Sequence, residues 1–255
     1  MRAALIGRCG ADTVAPAINR AAVEVLQRNG VEVIDIPSGC CGALAHHGGE
    51  TQRALASIVD NSRRLAAALT NGEIDVVVTT AAGCGAQVAD YGRLAASAAP
   101  QDAEAAELVS QNSRDICEML VDIDFEKPHI PATDRKRVAY HDACHLVHAC
   151  GITDAPRQVC EAATGVTPID LGENDLCCGS AGRYNLDQPA MATKLGARKA
   201  ELADQTAVDT VAVANVGCVL QISRAIAMAG GKAKVAHPIE LLADAYLKSN
   251  QNQSG

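Results

Sequence analysis

Aromatic residues are scarce in this chain of 255 residues, which has no tryptophan, one phenylalanine and four tyrosines. Because 48% of the residues are hydrophobic, the core must be built mainly from alanine, valine, leucine and isoleucine. The sequence also lacks an excess of positive charge. Its net charge is −8, whereas nucleic-acid binding usually needs basic patches, so this class of partner is excluded.

Long apolar runs are absent as well. No stretch reaches the roughly 18 apolar residues of a membrane-spanning helix, so we predict no membrane span. The first residues, MRAALIGRCGADTV, do not fit a signal peptide, because a cysteine stands where the apolar segment would have to continue. We therefore predict a cytoplasmic location, or one on the inner face of a membrane reached through a partner.

Cysteine, in contrast, is abundant, with eleven residues. An odd number of cysteines in a long chain without a secretion signal disfavours a disulfide framework. Two adjacent cysteines can bridge each other only with strain, because the trans peptide holds their side chains apart. Metal binding by reduced thiols is the better interpretation.

Most of these cysteines belong to two copies of one pattern. The pattern is a single cysteine, then Cys-Cys-Gly, then a cysteine preceded by glycine, and it indicates an internal repeat. Its members are Cys9, Cys40, Cys41 and Cys84 in the first half, and Cys144, Cys177, Cys178 and Cys218 in the second. The remaining three, Cys117, Cys150 and Cys160, are predicted to be buried small hydrophobic residues.

Strands and helices alternate in both halves. Predicted strands cover residues 3–7, 31–36 and 75–80, and then 137–141, 166–170, 209–215 and 233–237. Predicted helices begin at Pro16 and Pro238, follow Cys218, and cover 50–69, 156–164 and 188–206. This alternation predicts an α/β fold of two tandem Rossmann-like units with parallel sheets, related by the internal repeat. The predicted units are residues 1–111 and 137–255, with a helix and a proline-containing linker over 112–136 between them.

Each repeated cysteine follows a predicted strand. Because the carboxyl ends of parallel strands meet at one edge of a sheet, four thiolates should converge in each half. Adjacent ligands suit a polynuclear iron–sulfur cluster, while structural zinc sites usually draw on Cys-x(2–4)-Cys pairs. Iron–sulfur, zinc, and one of each remain open at this point.

Several segments resemble the cysteine-rich CCG domains of heterodisulfide reductases and their relatives, above all the C-terminal half of the glycolate oxidase iron–sulfur subunit. The resemblance is carried by CCGALAHHGG, AAGCGAQVADYG, YHDACHLVHACGI, CCGSAGRYNLDQP and HPIELLADAY. It implies that the four cysteines of each half bind a [4Fe–4S] cluster, giving one or two clusters, with zinc the alternative in one unit. It also implies an electron-transfer subunit of a 2-hydroxy-acid dehydrogenase, with glycolate the first substrate and lactate the second, and no catalytic residue for the substrate in this chain.

The partners implied by the resemblance are a flavin-binding oxidase subunit, a ferredoxin-like subunit and a respiratory electron acceptor. Two features depart from the relatives. The ferredoxin-like Cys-x-x-Cys-x-x-Cys region of the glycolate oxidase subunit is not in this sequence. The fifth cysteine of heterodisulfide reductases, which forms Cys-x-x-Cys with the closing cysteine, is also missing. Three positions before the closing cysteines stand Ala81 and Asn215, and three positions after them stand Gln87 and Gln221. Thiol–disulfide catalysis and a zinc-stabilised structural subunit are therefore kept as alternative functions.

Histidines flank the cysteines in both halves. His46 and His47 follow the first Cys-Cys-Gly, and His141 and His145 lie on either side of Cys144. Because each site already has four cysteines, we interpret these histidines as neighbours of the sulfurs or as structural residues, not as ligands.

Overall fold

The computed structural model of the protein describes residues 1–174 and 176–253. The chain divides into two units, Met1–Met119 and the part from Leu120 onward. Each unit is built on a sheet of four parallel strands covered by helices. This confirms the predicted α/β fold with two Rossmann-like units.

The first unit begins with a strand and ends in a helix that crosses the boundary between the units. Its elements are β1 (Arg2–Ile6), α1 (Arg8–Val14), α2 (Pro16–Arg28), β2 (Glu32–Val33), α3 (Ala43–His47), α4 (Thr51–Thr70), β3 (Val76–Thr79), α5 (Ala82–Ala89), α6 (Tyr91–Ala98), α7 (Ala103–Gln111), β4 (Ser113–Asp115) and α8 (Ile116–Asp122).

The second unit repeats the alternation of strands and helices. Its elements are β5 (Val138–Tyr140), α9 (Cys144–His148), α10 (Asp154–Thr164), β6 (Ile169–Asp170), α11 (Tyr184–Asp187), α12 (Pro189–Thr206), β7 (Thr210–Ala212), α13 (Val216–Met228), β8 (Lys234–Ala236) and α14 (Pro238–Gln253). Short 3-10 turns lie at Pro100–Asp102 and Ala132–Asp134.

The two sheets have the same strand order. In the first it is β2-β1-β3-β4, and in the second β6-β5-β7-β8, so the second strand in sequence lies at one edge of each sheet. The centre of each sheet is formed by the first and third strands of its unit. In the first sheet Ala3–Ile6 pairs with Val76–Thr79, and in the second Val138–Tyr140 pairs with Thr210–Ala212. Because all strands of each sheet are parallel, the loops that follow the strands lie at one edge of that sheet.

Local sequence explains where the elements begin and end. Pro16 and Pro189 occupy the first turn of α2 and α12, where the missing amide hydrogen is not needed. Gly165 follows α10 in the left-handed conformation, with φ 69°, which favours glycine. The branched residues of Val76–Thr79 favour the central strand β3.

Several parts of the fold differ from the predicted elements; the strand expected over 166–170, for example, is paired only at Ile169–Asp170. The strand expected over 31–36 has ladder pairs only at Glu32–Val33, because the chain turns after Ile34, where the amide of Ile36 donates to the carbonyl of Ile34 over 3.1 Å and not to β1. The segment Ser113–Asp115 adds β4 to the first sheet, although a helix was predicted to begin there. The helix expected in that segment is α8.

The cores are aliphatic, as the composition predicts. Ile6, Ile58, Leu65 and Val77 are among the buried residues that join β1, α4 and β3 in the first unit. Within the described residues, no helix combines the length and apolar character that crossing a bilayer requires.

Candidate metal centres

Four cysteines meet at the carboxyl edge of the first sheet, and we call this group site one. Cys9 lies in α1 directly after β1, Cys40 and Cys41 lie in the loop between β2 and α3, and Cys84 lies in α5 after β3. The Sγ atoms of Cys41 and Cys84 are 3.2 Å apart. Thiol contacts connect Cys9 to Cys40 and Cys40 to Cys41. The predicted convergence of four sulfurs is therefore present.

Gly7 leaves the space that site one needs. Its φ is +76°, and a Cβ added there would lie 2.7 Å from Cys84 Cβ and 2.8 Å from Cys84 Sγ. Real side chains essentially never pack so closely, so glycine alone lets the sulfur of Cys84 lie beside β1. The close approach of backbone and sulfur is the arrangement expected around a metal centre held by cysteines.

Backbone amides point at the sulfurs of site one. The amide hydrogen of Gly42 is donated to Cys40 Sγ over 3.4 Å, and the amides of Gly10 and Ala43 act in the same way on Cys9 and Cys41. Such donors stabilise negative sulfur and suit a thiolate-held centre.

A buried amide and phenol hold the Cys-Cys loop in place. Asn61 accepts a hydrogen bond from Gly39 N over 2.8 Å and donates one to the carbonyl of Cys40 over 2.9 Å. Tyr91 donates from its hydroxyl to the carbonyl of Cys41 over 2.9 Å. Both side chains are almost completely buried, at 1% and 0% exposure. The loop therefore has fixed anchor points on α4 and α6 beneath its sulfurs.

The thiols of site one differ in their tendency to ionise. Hydrogen bonds from the thiols of Cys41 and Cys9 lower the pKa of Cys40 far below the ordinary thiol value. The same contacts with Cys40 raise the pKa of Cys9 and of Cys41. These contacts favour the thiolate form at Cys40 over Cys9 and Cys41, and a bound metal would displace the protons of its thiol ligands.

A second group of four cysteines, site two, occupies the same place in the second unit. Cys144 opens α9 after β5, Cys177 and Cys178 follow β6, and Cys218 lies in α13 after β7. The Sγ atoms of Cys178 and Cys218 are 3.1 Å apart, and Gly179 N donates to Cys177 Sγ over 3.3 Å. Hydrogen bonds from the thiols of Cys144 and Cys178 lower the pKa of Cys177. The two sites thus share a close pair of sulfurs and a lowered pKa at the first cysteine of the Cys-Cys pair.

The glycine of the second Cys-Cys-Gly is required by packing. At Gly179, φ is +94°, and a Cβ would lie 2.7 Å from the carbonyl oxygen of Ala192 in α12. In the first unit a Cβ at Gly42, where φ is +87°, would lie 3.1 Å from the carbonyl oxygen of Ala54 in α4. Each Cys-Cys loop is therefore packed against the long helix of its unit, α4 or α12, which fixes the direction of its sulfurs.

Polar side chains surround site two. Asn215 donates to Cys218 Sγ over 3.2 Å, and Nδ1 of His145 lies 3.7 Å from Cys144 Sγ. A ring nitrogen of His141 lies within 4.8 Å of both Cys178 Sγ and Cys218 Sγ, and the histidine is 1% exposed. Hydrogen bonds from Cys178, His141 and Asn215 lower the pKa of Cys218 to about 5.

The other residues considered from the sequence have structural contacts. His46 Nδ1 pairs with Gln87 Oε1 at 2.9 Å. Cys117 and Cys160 are completely buried, as predicted. The prediction for Cys150 is wrong, since this residue lies in the turn after the short helix α9 and is only half-buried. Asn61 and Tyr91 were missed by the sequence analysis, because a single polar residue within a helix does not reveal which loop it contacts.

The fold and the two sites define a class: a duplicated α/β protein with four cysteine thiols gathered at the strand ends of each unit. The family described as the CCG cysteine-rich domain matches residues 4–89 and 138–223, one copy in each unit. The chain belongs to this family.

Three curated proteins show how far the similarity extends. The chain is 32% identical to the probable glycolate oxidase iron-sulfur subunit of Bacillus subtilis over 249 residues, which is 96% of this chain and 54% of that protein. It is 27% identical to lactate utilization protein A of Oceanobacillus iheyensis over 244 residues, covering 95% of this chain and 96% of that protein. It is 32% identical to a fumarate reductase (CoM/CoB) subunit of Methanothermobacter marburgensis over 242 residues, covering 93% of this chain and 45% of that protein. The chain thus spans about half the length of the first and third relatives and nearly all of the second.

Proposed function

We propose that this protein is the iron–sulfur electron-transfer component of a complex that oxidises a 2-hydroxy acid. The observation that carries the proposal is the convergence of four thiols at equivalent sheet edges in both units, with sulfur pairs 3.2 Å and 3.1 Å apart. Relatives named for glycolate oxidation and lactate utilization support the substrate class. Glycolate is the first substrate to test and lactate the second.

Each site is proposed to hold one [4Fe–4S] cluster. Cys9, Cys40, Cys41 and Cys84 would be the ligands in site one, and Cys144, Cys177, Cys178 and Cys218 in site two. Four cysteine thiolates are the usual ligand set of such a cluster. A bound cluster supplies one-electron transfer, while the chain itself provides thiolates, amide donors and an environment that sets the potential.

Electrons are proposed to enter from a flavin-binding subunit that oxidises the hydroxy acid, and to leave towards a respiratory acceptor. A ferredoxin-like subunit is a further proposed partner, since the glycolate oxidase relative is about twice as long as the aligned region. The proposed location is the cytoplasm, or the inner face of a membrane reached through these partners.

Heterodisulfide-type catalysis is disfavoured by the side chains beside the closing cysteines. Gln87 contacts His46, and Gln221 donates to the carbonyl of Ala192 over 2.8 Å. The positions where a fifth cysteine would stand therefore carry the side-chain amides of Gln87, Asn215 and Gln221 and the methyl group of Ala81. Zinc in one or both units is the remaining alternative, because tetrathiolate sites also suit zinc.

The test is metal and acid-labile sulfide analysis of the protein purified without oxygen, followed by electron paramagnetic resonance after stepwise reduction. We expect iron and sulfide in equal amounts and a signal that appears on reduction. Zinc without iron or sulfide would refute the electron-transfer function. Thiol–disulfide turnover by the isolated chain would instead favour heterodisulfide-type catalysis.

A further inference from the structure

The internal repeat allows the two sites to be compared position by position. Three residues before the closing cysteine, Ala81 stands in site one and Asn215 in site two, and both precede a helix with the same extended backbone. Asn215 Nδ2 donates to Cys218 Sγ over 3.2 Å. Ala81 has only a buried methyl group, so the corresponding sulfur of Cys84 receives no side-chain hydrogen bond from this position.

The residue three positions before the opening cysteine differs in the same direction. It is Ile6 in site one and His141 in site two, and both are 1% exposed. The imidazole of His141 brings a polar nitrogen within 4.8 Å of the Sγ atoms of Cys178 and Cys218. Ile6 offers only hydrocarbon to the sulfurs of site one.

A third matched position carries a charge. Ala54 in α4 and Ala192 in α12 contact the glycines of the two Cys-Cys-Gly motifs and are therefore equivalent positions. Asn61 and Lys199 each follow these alanines by seven residues, so they too are equivalent. Lys199 is completely buried, and its ammonium donates to the carbonyls of residues 172–173, in the loop that ends at the second Cys-Cys pair. Asn61 is neutral. Site two therefore has a buried cation beside its loop where site one has an amide.

Other charges near the sites do not reverse this difference. Arg53 acts on Cys40 in site one, but its side chain is 78% exposed and paired with Glu50, so water screens it. In site two Arg157 pairs with both Asp142 and Asp170 at 2.7 Å, which leaves one net negative charge, but Asp170 is 68% exposed, so water screens it.

A backbone dipole in site one acts in the opposite sense to these donors. Cys84 Sγ lies 3.5 Å from the carbonyl oxygen of Gly7, the negative end of a peptide dipole. Repulsion between this oxygen and a negative sulfur disfavours added electrons at site one.

We propose that site two has the more positive reduction potential and therefore accepts an incoming electron ahead of site one. Reduction adds one electron, and one negative charge, to the cluster and its thiolates, with the flavin of the proposed partner as the electron donor. Hydrogen bonds to sulfur and nearby positive charge stabilise the reduced form. The inference rests on the proposed function, because it requires clusters that change oxidation state.

The experiment isolates each site. Cys177→Ala leaves site one and Cys40→Ala leaves site two, and the midpoint potential of each protein is measured by redox titration under electron paramagnetic resonance. We expect at least a tenfold difference in the reduction equilibrium in favour of site two, which for one electron is about 59 mV. In the site-two protein, Asn215→Ala should lower the midpoint while the iron content stays the same.

A reciprocal change and a control complete the design. Ala81→Asn in the site-one protein should raise the midpoint, and Ala227→Asn, which adds the same amide to the exposed end of α13, should leave site two unchanged. Equal midpoints, a reversed order, or a midpoint unmoved by Asn215→Ala at constant iron content would overturn the inference while the proposed function stands. Absence of iron from both single-site proteins would overturn the proposed function itself, together with the inference.

Discussion

Replacement of Gly7 by alanine tests the packing on which site one depends. Two effects add at this position. The left-handed conformation, with φ +76°, costs a residue with a Cβ about 1–2 kcal/mol. Contact of the new methyl group with Cys84 Cβ at 2.7 Å and Sγ at 2.8 Å adds overpacking of about 1–3 kcal/mol. The sum, about 2–5 kcal/mol, is a large part of the 5–15 kcal/mol that stabilises a typical domain.

Gly30→Ala is the matched control. Gly30 has φ +73° but no atom within 4 Å of the added Cβ, so it carries the conformational cost without the clash. Urea unfolding of the metal-free proteins should give a loss of about 1–2 kcal/mol for Gly30→Ala and a larger loss for Gly7→Ala. Metal content should fall at site one in Gly7→Ala alone. Equal losses of stability and unchanged metal in the two variants would refute the argument.

Three other polar contacts give further predictions. Asn61→Ala removes two hydrogen bonds to the Cys-Cys loop, so urea unfolding should show a loss of about 1–3 kcal/mol in the free energy of unfolding, and site one should retain its metal less well. The exposed control Asn71→Ala should change neither property. Full metal retention in Asn61→Ala would contradict this role of Asn61. Burial raises the pKa of Asp115 from 3.8 to about 7. The folded protein therefore favours the neutral carboxyl, whose contribution to the free energy of unfolding is fully present below pH 4 and is lost as the pH rises through 7. Asp115→Asn should remove up to about 4 kcal/mol of this pH dependence from unfolding curves, and parallel curves for the two proteins would contradict it. Arg157→Lys loses the fork that binds Asp142 and Asp170, so urea unfolding should show a loss of about 1–3 kcal/mol, more than the exposed control Arg93→Lys; equal effects would count against this role.

The main course of the fold could be predicted because its signals are local. Branched residues marked β3 and β7, and proline at the first turn marked α2 and α14. The polar segment Ser113–Asp115 was not predicted as β4, because its pairing with β3 uses backbone groups and leaves no pattern in the side chains.

The gathering of sulfurs could be predicted from topology, since parallel strands end at the same edge. What surrounds the sulfurs could not. Lys199 lies in the middle of α12, where a lysine normally indicates an exposed face, and its complete burial depends on the path of the loop before Cys177. Tyr91 is similar, because its hydroxyl reaches a carbonyl far away in the sequence.

If each unit holds one metal centre through its own four cysteines, the two centres can be removed one at a time. The most direct test is the metal and sulfide content per chain of Cys40→Ala, Cys177→Ala and the double variant, with Cys150→Ala as the control outside both sites. Each single variant should lose about half of the iron and sulfide, the double variant nearly all, and the control should keep the full amount. Full metal content in Cys40→Ala and Cys177→Ala would contradict this expectation.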